Sequence, residues 1–128
     1  MAVIKLTEMN DAPEETQALY SAVLDKFGVV PNFIKAMGNN PAFLNAVLQM
    51  HSAVFDAGVI PAKYKNLIAL AVSMTNGCSY CTHSFTAHSQ LTEASEQELA
   101  ETRAIVALLS AYNKYLSTSG IPCDITPS

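Results

Sequence analysis

Residues 76–88 read "NGCSYCTHSFTAH" and hold two of the chain's three cysteines and two of its three histidines. Thiols and imidazoles at this density serve three kinds of chemistry. A C-x-x-C pair can cycle between dithiol and disulfide, thiolates with imidazoles can hold zinc, or two cysteines can simply pack as small apolar side chains. Cys78 follows an Asn-Gly turn signal and stands at the start of an expected helix. The N-terminal end of a helix presents free N–H groups and partial positive charge, which favour thiolate, the species that attacks a peroxide or a disulfide.

Helix geometry sorts the neighbours. At about 100° per residue, Cys78, Cys81, Phe85 and His88 share one sector, while His83 points about 160° from Cys81. His88 shares the thiol face yet lies about 10 Å further along the axis. Cys78, Cys81, His83 and His88 all sit on one short helix and cannot surround a tetrahedral ion unaided, so no metal is expected. The ordinary reading of each histidine, His51 included, is a partly buried ring bonded to a carbonyl or water. For Tyr80 it is a packed ring with its hydroxyl at a polar rim.

The elements that position these residues read as helices throughout, because no alternation of polar and apolar residues persists. "APEETQALYSAVLDKFG" opens with Pro13 in the first turn and ends at Gly28, with Leu19, Val23 and Phe27 on one face. A short helix starts at Pro31 and stops near Gly38 and Asn39. The next has Asn40 as cap, Pro41 at its first position and Gly58 as its stop. The helix from Pro61 to Gly77 is apolar on Leu67, Leu70, Ala71 and Met74 and also on the opposite face, which predicts burial on most sides. The segment from about Ala94 reads as one long helix or two with a kink, and the tail "IPCDITPS" as irregular, its Cys123 a free thiol with no catalytic part. The expected fold is all-α, a single domain over residues 1–128 with five to six helices and the C-x-x-C at a helix N-terminus.

Composition narrows the setting. Half of the 128 residues are hydrophobic, 14% are charged, and the net charge is −4. So little charge leaves apolar surface over for contacts between subunits, so a homo-oligomer is expected. The seven basic residues form no cluster, which argues against nucleic acid and anionic membrane as partners. The stretch around "LIALAVSM" is too short to span a bilayer. The N-terminal segment does not read as a signal peptide, and three cysteines is an odd count for a disulfide-stapled secreted domain. A cytoplasmic location is expected, where a C-x-x-C pair is redox-active or metal-binding rather than structural.

The stretch "IPAKYKNLIALAVSMTNGCSYCTHSFTAH" closely resembles the core of the alkylhydroperoxidase D-like (AhpD-like) proteins of the carboxymuconolactone decarboxylase superfamily. The likeness is carried by the Pro-led helix, "LIALAVS", the Asn-Gly turn and C-x-Y-C, and is strong over roughly residues 40–90. It implies an all-α fold whose two-helix core carries the dithiol, and a trimer or a hexamer. It also implies hydroperoxide reduction without a bound cofactor, electrons coming from an external thiol/disulfide reductant protein. By the same resemblance Cys81 takes the peroxidatic position, Cys78 the resolving one, and Tyr80 the place between them. The superfamily's decarboxylase branch generally lacks this pair, so decarboxylation is not the expected reaction.

Two positions depart from that pattern. Where the peroxidases carry a glutamate twelve residues before the first cysteine, this chain has Asn66. Where they carry a histidine four residues after the second, it has Phe85. Neither side chain accepts a proton at neutral pH, and general acid–base assistance is worth roughly 10²–10⁴ in rate. His83, His88 and His51 are the candidate substitutes. The alternative to a peroxidase is a redox sensor, or an oligomer binding an apolar ligand against Phe85 and Met74.

Overall fold

A computed structural model of the chain describes residues 3–125 and 127. Proline and glycine punctuate its helices. Pro13, Pro31 and Pro61 sit at N-cap positions with extended backbone, one residue before α1 (Glu14–Phe27), α2 (Asn32–Ala36) and α4 (Ala62–Thr75). A proline costs nothing there, because an N-cap N–H has no partner in the helical ladder. Pro41 instead occupies the first turn of α3 (Pro41–Phe55), behind Asn40, whose side chain accepts the Phe43 N–H at 3.2 Å. α3 stops at Phe55 with Asp56 as its cap, three residues short of Gly58. α5 (Ser79–Leu91) and α6 (Glu96–Ser117) complete the set, and α6 is one continuous helix. Among the described residues there is no strand, and no helix is long and apolar enough to cross a membrane.

The helices form two compact units, Met1–Gly58 and Val59–Ser128. In the first, α1 packs on α3 around Tyr20, Ile34 and Leu44, with Val23 and Val30 beside them. Buried polar atoms there are paired: Thr16 donates to the Gly38 carbonyl at 2.7 Å, and the Tyr20 hydroxyl to the Thr7 carbonyl at 2.9 Å. Burial raises the Tyr20 pKa, with a smaller push from Glu8, so the phenol stays a donor. Gly38 is required by contact rather than by backbone angle, since a Cβ there would lie 2.1 Å from the Tyr20 hydroxyl.

In the second unit α4 packs on α5 and, less extensively, on α6. Its buried residues include Leu70 and Leu99 together with three polar ones, Asn66, Ser73 and Ser89. α6 begins with a reciprocal capping box: Ser95 accepts the Glu98 N–H at 3.0 Å, and Glu98 accepts the Ser95 N–H at 2.8 Å. The second oxygen of Glu98 meets Lys63 of α4 at 2.9 Å, so one carboxylate both starts α6 and ties it to α4.

One expectation fails. α4 is not buried on most sides: its buried stripe is Asn66, Leu70 and Ser73, while Ile68 and Val72 are half exposed, at 52% and 54%. The apolar residues of the other α4 face therefore lie on the protein's surface. The second half of α6 is open too, with Ile105, Leu108, Tyr112 and Tyr115 exposed along one stripe.

Candidate active site

The link between α4 and α5 is very short. Asn76 caps α4, Gly77 follows in the left-handed region at φ 72°, and Cys78 is already the N-cap of α5. The Gly77 N–H reaches the Met74 carbonyl at 3.2 Å and the Cys78 N–H the Ser73 carbonyl at 3.0 Å, the paired bonds of a Schellman ending. Cys78 thus closes one helix and opens the next, which fixes its backbone from both sides.

Across the first turn of α5, Cys78 and Cys81 are joined as a disulfide, with Cα atoms 5.3 Å apart. Both are half-buried. The Cys81 N–H donates to Cys78 Sγ at 3.2 Å, so the sulfur occupies the place a capping hydroxyl or carboxylate usually takes. A surface-accessible disulfide at a helix start departs from the reading of the two cysteines as inert packing. Among the described residues no three His, Cys, Asp or Glu side chains converge as metal ligands. Cys123 is a free, exposed thiol.

The other predicted site residues divide between two faces of α5. Tyr80 and His83 line a shallow pocket of about 530 Å³ with Ser79 and Ser84. His83 Nδ1 lies 2.8 Å from the Ser79 carbonyl. A bond to a carbonyl needs the hydrogen on Nδ1, which leaves Nε2 of the neutral ring with its lone pair. His88 is exposed, and its ring meets Phe85 edge-on at 5.8 Å between centroids. His51 belongs to the first unit, stacked on Phe55 at 4.7 Å. The pocket on α5 includes neither Phe85 nor Met74, the two residues expected to line an apolar ligand site.

Asn66 has a role that its sequence position did not disclose. Its amide donates to Thr92 Oγ1 at 3.2 Å and to the His88 carbonyl at 3.4 Å, both at the C-terminal end of α5. It is buried and serves as a side-chain cap for that helix, directed away from the N-terminal turn that holds the sulfurs. Ser89, next to this end, has a buried hydroxyl with no partner among the described residues.

Residues 41–121 match the carboxymuconolactone decarboxylase family model. The chain belongs to this family. No curated protein sequence matches it. Among solved structures, the crystal structure of the alkylhydroperoxidase AhpD core from Rhodospirillum rubrum is similar, with 29% identity and a TM-score of 0.89. The match covers 97% of this chain and 95% of that one. The family's all-α fold and the Cys78–Cys81 pair expected from the resemblance are thus both present.

Proposed function

We propose that the chain is a dithiol oxidoreductase that reduces hydroperoxides through Cys78 and Cys81. The observation that supports this best is the pair itself, set at the rigid α4–α5 junction within disulfide distance and half open to the surface. The likeness to an alkylhydroperoxidase core points to the same chemistry. One thiolate attacks the terminal peroxide oxygen, the O–O bond breaks, and the alkoxide leaves as alcohol after taking a proton. The sulfenic acid so formed is attacked by the second sulfur, giving disulfide and water. An external dithiol supplies the two electrons that restore the pair, which suits a reducing, cytoplasmic setting and needs no bound cofactor. The family likeness assigns the first attack to Cys81. Tyr80 and His83, beside the same helix start, are the candidate groups for binding the peroxide or its alcohol product.

A hydroperoxide-dependent assay of the full chain with Cys78→Ser and Cys81→Ser variants tests the reading. Both variants are expected to lose turnover, and equal rates in all three proteins would end it. A second reading, a redox sensor that forms its disulfide without rapid turnover, is favoured by the engagement of Asn66 at the far end of α5. The apolar faces of α4 and α6 fit a homo-oligomer, a trimer or a hexamer by family likeness.

A further inference from the structure

We propose that Asn76 is a site of spontaneous deamidation, gated by the α4–α5 turn, and that its isoaspartyl product uncouples the two helices. Asn76 is the only asparagine of the chain followed by glycine. In an Asn-Gly pair no Cβ shields the following nitrogen, so that nitrogen can attack the side-chain amide carbon. Here both residues are exposed, and a Cβ added to Gly77 would meet nothing within 4 Å. A succinimide ring therefore has room to form.

The step needs no co-reactant but water. The Gly77 nitrogen loses its proton and bonds to Asn76 Cγ, and the Cγ–Nδ2 bond breaks with release of ammonia. Water then opens the ring at either carbonyl. Opening at the main-chain carbonyl gives isoaspartate, in which the chain runs through the side chain and gains a carbon. Opening at the other gives aspartate.

The folded turn holds this chemistry back. Asn76 has ψ −5°, which brings its own backbone nitrogen, and not its side chain, into line with the Gly77 nitrogen. The Gly77 N–H is held by the Met74 carbonyl at 3.2 Å, and the Cys78 N–H by the Ser73 carbonyl at 3.0 Å. Ring closure needs this turn to open, which is a local event at an exposed link. The bonds concerned are main chain to main chain and involve neither sulfur. An extra carbon between Asn76 Cα and the Gly77 nitrogen shifts both N–H groups, so the two bonds of the ending cannot both re-form. Isoaspartate thus removes the fixed link from α4 to the Cys78 cap of α5. The aspartyl product keeps the link but sets a carboxylate at the negative end of α4.

Ageing the oxidised full chain in warm, mildly alkaline buffer over a urea series tests both parts. Peptide mass mapping and isoaspartyl methyltransferase labelling are expected to find residue 76 converted ahead of every other asparagine. Below the unfolding transition the rate is expected to be flat in urea, since opening one turn exposes little surface. Across the transition it is expected to rise about tenfold or more. Gly77→Ala places a Cβ beside the attacking nitrogen and is expected to lose most of the conversion even in unfolding urea. The deamidated fraction, isolated by charge, is expected to melt at a lower temperature than Asn76→Asp, whose main chain is not lengthened. Conversion led by another asparagine, or a rate that climbs with urea from the start, would overturn the gated site. Equal melting temperatures would overturn the uncoupling.

Discussion

Asn66 and Thr92 meet at 3.2 Å, linking mid-α4 to the C-terminal end of α5. The amide at this position holds a helix end where a carboxylate would serve proton transfer, and the two uses conflict. Asn66→Glu replaces a donor by an acceptor facing the His88 carbonyl, so the single substitution is expected to destabilise the protein by about 1–3 kcal/mol. Combined with Phe85→His, it installs two proton-transferring groups on the helices that carry the dithiol. The double variant is expected to gain roughly 10²-fold in hydroperoxide turnover despite a lower melting temperature. An unchanged rate would mean that these two groups do not limit hydroperoxide turnover by the natural protein, another group already supplying the base.

Gly38 sits under the Tyr20 hydroxyl, and Tyr20 is fully buried. Gly38→Ala puts a methyl group 2.1 Å from that oxygen and 2.9 Å from Thr7 Cβ. Either the Tyr20–Thr7 hydrogen bond breaks or the backbone that Thr16 holds must move. The expected loss is about 2 kcal/mol or more, read as a lower urea midpoint. Tyr20→Phe removes the clashing oxygen, so the two substitutions together are expected to cost less than their sum.

The turn at the site is equally specific. Gly77 adopts φ 72°, and a Cβ added there would meet nothing within 4 Å, so only backbone strain opposes a side chain. Gly77→Ala is expected to cost about 1 kcal/mol, and Gly77→Asn, which tolerates this conformation, less. Comparison of the two melting temperatures separates strain from crowding, since crowding would penalise the larger asparagine more.

These positions also show how far a sequence speaks for itself. The cysteines' place at a helix start was legible, because Asn76-Gly77 is a local ending signal and Cys78 follows at once. The Ser95–Glu98 box is equally local. Asn66 was not legible: its partners lie 22 and 26 residues away, and only packing of α4 on α5 brings them together. Gly38 pairs with Tyr20 in the same non-local way. For Ile68 and Val72 hydropathy was misleading, since an apolar residue on a subunit's surface has the same composition as one in a core.

Acid is expected to loosen the second unit through Glu98. Its bonds to the Ser95 backbone and to Lys63 hold its pKa below the ordinary value, and Glu98 in turn raises that of Lys63. A lowered folded-state pKa means that this stabilisation is fully present above the unfolded value and is lost as pH falls through the folded one. The Lys63 contribution runs oppositely, present below its unfolded value and lost as pH rises through the folded one. Urea midpoints of the natural protein should therefore decline on acidification below the usual glutamate range. Glu98→Gln should lie lower at neutral pH and lack that part of the decline. Parallel curves for the two proteins would show that Glu98 carries none of the acid sensitivity.

Ile105, Leu108, Tyr112 and Tyr115 recur at spacings of three and four, which puts them on one stripe of α6. Their exposures run from 49% to 76%, in a helix whose N-terminal half is already tied to α4 through Glu98. A large apolar side chain gains about 1.5–3 kcal/mol on full burial, so covering the open part of these four contributes to holding a second copy, with the rest of the interface needed to offset the cost of association. Under the homo-oligomer proposed above, Leu108→Glu places a charge in the middle of that stripe. Sedimentation is expected to show a smaller species, while far-ultraviolet circular dichroism keeps its helical signal because no buried residue has changed. If the assembled mass is unchanged by both Leu108→Glu and Tyr112→Glu, the interface lies elsewhere, and the exposed Ile68 and Val72 of α4 become the face to alter next.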